Sequence, residues 1–110
     1  MSDPNQPTED AEFEAFAEEY EEHRSALFEI VSDYADEQEL DDGLLVALLL
    51  DLAVTARMIS YADGTEKPSA TGLKLELDRF LKDAGDHVRE VKQGAEEFIA
   101  DIKQAREEEN

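Results

Sequence analysis

The chain has 110 residues, a formal net charge of −20 and no cysteine. That length suits one domain with a modest core. The missing thiols exclude disulfides, thiolate metal sites and a cysteine nucleophile, and thirty acids against ten bases repel phosphate backbones.

Residues 1–8 open with MSDPNQPT, hold two of the three prolines and carry no apolar pattern after Met1, so a disordered tail is expected there. No hydrophobic leader opens this sequence, and a cytoplasmic location is the expectation. Thr8 is placed to cap a helix whose first turn holds Glu9 and Asp10, where the helix dipole favours acids. From there Phe13, Phe16, Tyr20, His23, Leu27, Ile30 and Tyr34 recur at alternating steps of three and four. This is one heptad seam, and it predicts a first helix over about residues 9–39.

The stretch LDDG interrupts the pattern, and Asp41 or Asp42 can cap the next helix, over about residues 43–62. Its core, LLVALLLDLAV, is the most apolar run of the chain. The run itself is too short to span a bilayer, and its continuation is interrupted by Asp51 and Arg57. On a helical wheel it has two apolar sectors. Leu45, Leu48, Leu49, Leu52 and Ile59 form one; Val46, Leu50, Val54 and Tyr61 lie nearly opposite. A helix apolar on two sides needs cover on both. Asp51 falls between the sectors, one turn from Thr55, and is expected to be a buried polar contact that sets register. His23, on the first seam, is expected to be a hydrogen-bonded core histidine.

Residues 63–72, DGTEKPSATG, read as a loop, after which Ser69 or Thr71 starts a third helix over about residues 71–107. Its seam runs Leu77, Leu81, Ala84, Val88, Val91, Ala95, Phe98, Ile102 and Ala105. It passes through Gly85 and Gly94 without a change of phase, so one long helix is expected. A monomer with a fourth helix starting after Gly85 is the alternative. Residues 108–110 are expected to fray.

The fold expected is therefore all-α, a three-helix antiparallel bundle in a single helical domain, residues 9–107. Its first and third helices, roughly 46 and 54 Å long, overhang a middle helix of about 29 Å. The uncovered stripes predict a homodimer, a six-helix bundle. Val46, Leu50, Val54, Tyr61, Phe98 and Ile102 are the expected interface.

Function is less legible. Helix 1 is crowded with acids and carries a single base, Arg24. Its acid density approaches that of phosphates along a DNA strand, roughly one per 3.4 Å. The reading favoured is a non-enzymatic interaction module that needs no cofactor and binds no nucleic acid or membrane. Glu14, Glu18, Glu21 and Glu22 would meet a basic partner protein, with mimicry of nucleic acid one form of this contact. An acidic surface adapted to high salt, with no such partner, is a further alternative. The acids of EEYEE (Glu18, Glu19, Glu22) followed by ELDD (Glu39, Asp42) resemble the EExxE…ExxD signature of all-α nucleoside triphosphate pyrophosphohydrolases of the MazG type. That resemblance implies a Mg²⁺ site at Glu18, Glu22, Glu39 and Asp42 and cleavage of nucleoside triphosphates. On the wheel these four acids lie off the apolar seam, toward solvent.

Overall fold

The computed structural model describes residues 9–109, so the expected tail at 1–8 lies outside the described residues. Four helices follow in order: α1 Glu9–Glu37, α2 Asp42–Gly64, α3 Ala70–Lys92 and α4 Ala95–Glu109. No strand occurs among the described residues. The all-α class agrees with the sequence; the three-helix bundle does not, and with it falls the six-helix assembly built from it.

The extra boundary lies at Gln93–Gly94, not at Gly85, which sits inside α3. Gln93 N–H donates to Glu90 O at 3.2 Å and Gly94 N–H to Val91 O at 3.0 Å, a tightened turn that ends α3. Phe98 N–H then donates to Gly94 O at 3.0 Å, opening α4. Charge favours a boundary here. Arg89 and Lys92 occupy the last turn of α3, and Glu96 and Glu97 the first turn of α4, each on the side the helix dipole prefers. Gln93 keeps right-handed helical angles, φ −64 and ψ −25. The apolar residues on either side of the break keep the three–four alternation in sequence, which is why the seam alone did not disclose it.

Contacts along the chain gather in two units, one ending at Leu48 and the other beginning at Leu49. The first holds α1 and the start of α2. Its covered residues surround the α1–α2 turn: Ala35 is buried, and Val31, Leu40 and Leu45 are half-buried. The turn closes with two nested bonds, Leu40 N–H to Ala35 O at 2.9 Å and Glu39 N–H to Asp36 O at 3.2 Å. This is the Schellman arrangement, which places one residue in the left-handed region. Glu39 takes that place, with φ 54, where glycine is the usual occupant. Asp41 then caps α2, its Oδ1 accepting from Leu44 N–H at 2.8 Å.

The second unit holds the rest of α2 with α3 and α4. Val54, Arg57 and Tyr61 on α2 are half-buried, as are Leu73, Glu76, Leu77 and Phe80 on α3. Two polar links, Arg57–Glu76 and Tyr61–Ser69, fasten α2 to α3. Arg57 Nη2 pairs with Glu76 Oε1 at 2.6 Å, and Arg79 Nη1 approaches Glu76 Oε2 at 3.6 Å. Ser69 caps α3, its Oγ accepting from Gly72 N–H at 3.0 Å, while Ser69 N–H donates to the Tyr61 hydroxyl at 3.2 Å. A Cβ at Gly72 would collide with that hydroxyl, so glycine there lets Tyr61 reach the cap.

Candidate interaction surface

The chain covers very little of its apolar surface. Ala35 is the one buried hydrophobic among the described residues. Along α1 the seam side chains Phe13, Phe16, Tyr20, Leu27, Ile30 and Tyr34 are all more than half exposed, Phe13 reaching 72%. At roughly 100 Å² for each such side chain, α1 alone presents about as much apolar area as the largest patch of an ordinary monomer, roughly 300–600 Å². The second unit repeats the situation on its own seam, where Leu81, Val88, Val91 and Phe98 stand open. An open recess where α3 meets α4 is lined by Val88, Val91, Lys92, Gly94, Ala95, Phe98 and Ile99.

The two sectors of α2 do not divide as the wheel suggests. Of the six residues expected at a dimer interface, Val54 and Tyr61 are half-buried in their own chain. Tyr61 is engaged by Ser69. Val46, Leu50, Phe98 and Ile102 are exposed. In the opposite sector, expected to face the chain's own helices, Leu48, Leu49, Leu52 and Ile59 are exposed and Leu45 is half-buried. Only the later part of the sector ending in Tyr61, Val54 and Tyr61 itself, turns inward, beside Arg57, which pairs with Glu76 on α3. Periodicity cannot reveal this pairing. By length and composition α2 is able to cross a membrane. In the described structure, however, its second half is tied to α3 through Arg57 and Tyr61.

The two polar residues expected to be buried are not. Asp51 is exposed. The His23 side chain is 75% exposed and lies 3.8 Å from Glu19 Oε1 on its own helix. A seam that the single chain leaves open covers neither of them.

Glu14, Glu18, Glu21 and Glu22 are exposed on α1, and Glu18, Glu21, Glu22 and Ser25 line a shallow open recess. Ser25 Oγ donates to Glu21 Oε1 at 3.2 Å, and Arg24 Nη1 lies 3.6 Å from the same oxygen. Arg24 thus partly neutralises Glu21 and leaves the surrounding carboxylates to solvent. Among the described residues no three acids or histidines gather so as to hold a metal ion. Glu18, Glu22, Glu39 and Asp42 are therefore not brought together as a ligand set. The polar cluster that the chain does assemble is Arg57–Glu76–Arg79, and the Nε of Arg57 is buried there without a hydrogen-bond partner. Sequence reasoning missed this cluster, in which Arg57 on α2 lies 19 residues before Glu76 on α3 and the two share no motif.

The chain matches no family model, no curated protein and no solved structure.

Proposed function

We propose that this protein is a non-enzymatic, homodimeric helical module whose acidic outer face engages a basic partner protein in an aqueous compartment. One observation carries the reading: two heptad seams, on α1 and on α3–α4, stand exposed in the single chain. Continuous apolar stripes of this size belong against another surface. A second copy supplies one of matching length and chemistry.

The outward acids extend the reading to a partner. A field of −20 attracts cationic surfaces and speeds encounter with them, and salt screens it. Glu14, Glu18, Glu21 and Glu22 are exposed on one helix, and such a row suits a lysine- or arginine-rich surface.

The dimer is tested by unfolding in urea across a hundredfold range of protein concentration. A dimer that gains its stability on association has a midpoint that rises with concentration, whereas a monomer's midpoint is constant. The acidic face is tested with a lysine-rich basic protein as probe. Binding at low salt should fall in moderate salt and should weaken when Glu14, Glu18, Glu21 and Glu22 are changed together to glutamine. Equal binding by the quadruple variant rejects this face as the contact.

A further inference from the structure

The charges beside the two open seams are segregated. On α1 one flank of the seam reads Glu12, Ala15, Glu19, Glu22, Ala26, Glu29, Asp33 and Asp36, with acids and alanines and no base. On α3–α4 the opposite flank carries Lys82, Arg89, Lys92, Lys103 and Arg106, with Glu96 its one acid from residue 82 onward. In paired helices such flanking positions decide which helix is chosen and in which direction it runs.

We infer that α1 of one copy lies parallel along the α3–α4 seam of a second copy, its acidic flank against the basic flank, and that the exchange is reciprocal. This rests on the dimer reading above and specifies how that dimer is built. In the heptad, the acidic flank of α1 includes position g and the basic flank of α3–α4 includes position e, and g meets e only when helices run parallel. Antiparallel pairing instead sets g against g. The g positions of α3–α4 are Leu73, Phe80, His87, Gly94, Asp101 and Glu108, with no lysine or arginine among them.

Register follows from the same residues. Setting Phe13 level with Leu81 matches seven seam positions on each side. Glu19 then faces Lys92 and Asp33 faces Arg106, with no like-charge pair at these flanks. Large side chains meet small ones: Phe16 opposite Ala84, and Leu27 opposite Ala95, whose neighbourhood is the open recess at the α3–α4 junction. Sliding by one heptad in one direction sets Glu12 against Asp78; in the other it carries Asp33 past the last residue. Six large seam side chains on α1 and five on α3–α4, at roughly 100 Å² apiece, amount to about 1,100 Å² per copy. A standard stable interface buries about 800 Å² per partner. Two α1 helices side by side would instead bring together elements that each hold twelve acids and one base.

The test uses the full chain and two double variants, Glu19→Lys/Asp33→Lys and Lys92→Glu/Arg106→Glu, with helical content checked by circular dichroism. Each alone should dimerise about tenfold or more weakly than the unaltered chain in sedimentation velocity. Their equimolar mixture should recover a heterodimer, since both of its interfaces are complementary. Independently, His23→Cys and Val91→Cys variants, mixed and mildly oxidised, should give a disulfide between unlike copies, the chain having no other thiol. Double variants that dimerise like the unaltered chain would overturn the inference. So would a disulfide confined to His23→Cys pairs. Both results leave the dimer itself standing; a monomeric unaltered chain removes both.

Discussion

Glu39 holds a backbone conformation that costs an L-residue about 1 kcal/mol and costs glycine little. It does so because the two nested hydrogen bonds of the α1–α2 turn require it. Glu39→Gly should therefore raise stability by about 1 kcal/mol in urea unfolding, and a loss would show that the glutamate side chain has a role of its own. Gly72 presents the opposite case. Its backbone approaches the Tyr61 hydroxyl so closely that Gly72→Ala must push the ring aside and loosen its bond to Ser69. A loss of about 1–2 kcal/mol is expected. In a double-mutant cycle, adding Tyr61→Phe should recover part of it, since the oxygen that collides is gone. Full additivity would mean that the two sites are uncoupled. Caps were legible from local spacing: Asp41 and Ser69 were each one of two residues flagged. Neither Glu39 in the left-handed region nor the Tyr61–Ser69 link was legible, because no residue type at those positions announces it.

At the scale of elements, the sequence disclosed the helices through their seams and lost one boundary for the same reason. The turn at Gln93–Gly94 preserves the three–four alternation, so hydrophobic spacing passes straight across it. The signal lay in charge. Bases ending α3 and acids opening α4 flank a glycine, a pattern that each helix end favours on its own. A Cβ at Gly94 would meet nothing closer than Val91 O at 3.7 Å. Gly94→Ala should thus be tolerated and should gain about 0.5–1 kcal/mol through the reduced freedom of the unfolded chain. Helical content by circular dichroism should be equal or higher; a clear loss would mean that the junction needs glycine. The α2–α3 pairing rests on Glu76, whose carboxylate faces Arg57 and Arg79 and is largely covered. Glu76→Gln should cost about 1–2 kcal/mol, and an unchanged urea midpoint would deny the cluster a structural role. Which face of α2 turns inward depended on this long-range pair, and a helical wheel holds no information about it.

The chain combines exposed apolar seams with a net charge of −20. A net charge of −20 opposes association of copies, so any pairing has to offset that repulsion with apolar contact and local charge complementarity. The surplus of apolar surface was legible from the two-sided apolar middle helix, although the residues expected on its outer side were partly misplaced. Val54 and Tyr61 turn inward, whereas the α1 seam from Tyr20 onward, assigned to the chain's own core, stands open. The acidic surface was legible from composition alone. Its purpose was not, since solvation and recognition require the same residue types.

Molar mass from light scattering coupled to size-exclusion chromatography tests the central claim most directly. At micromolar protein the account predicts a single species of about twice the 12.4 kDa chain mass. A particle of 12.4 kDa that persists as the concentration is raised would contradict it.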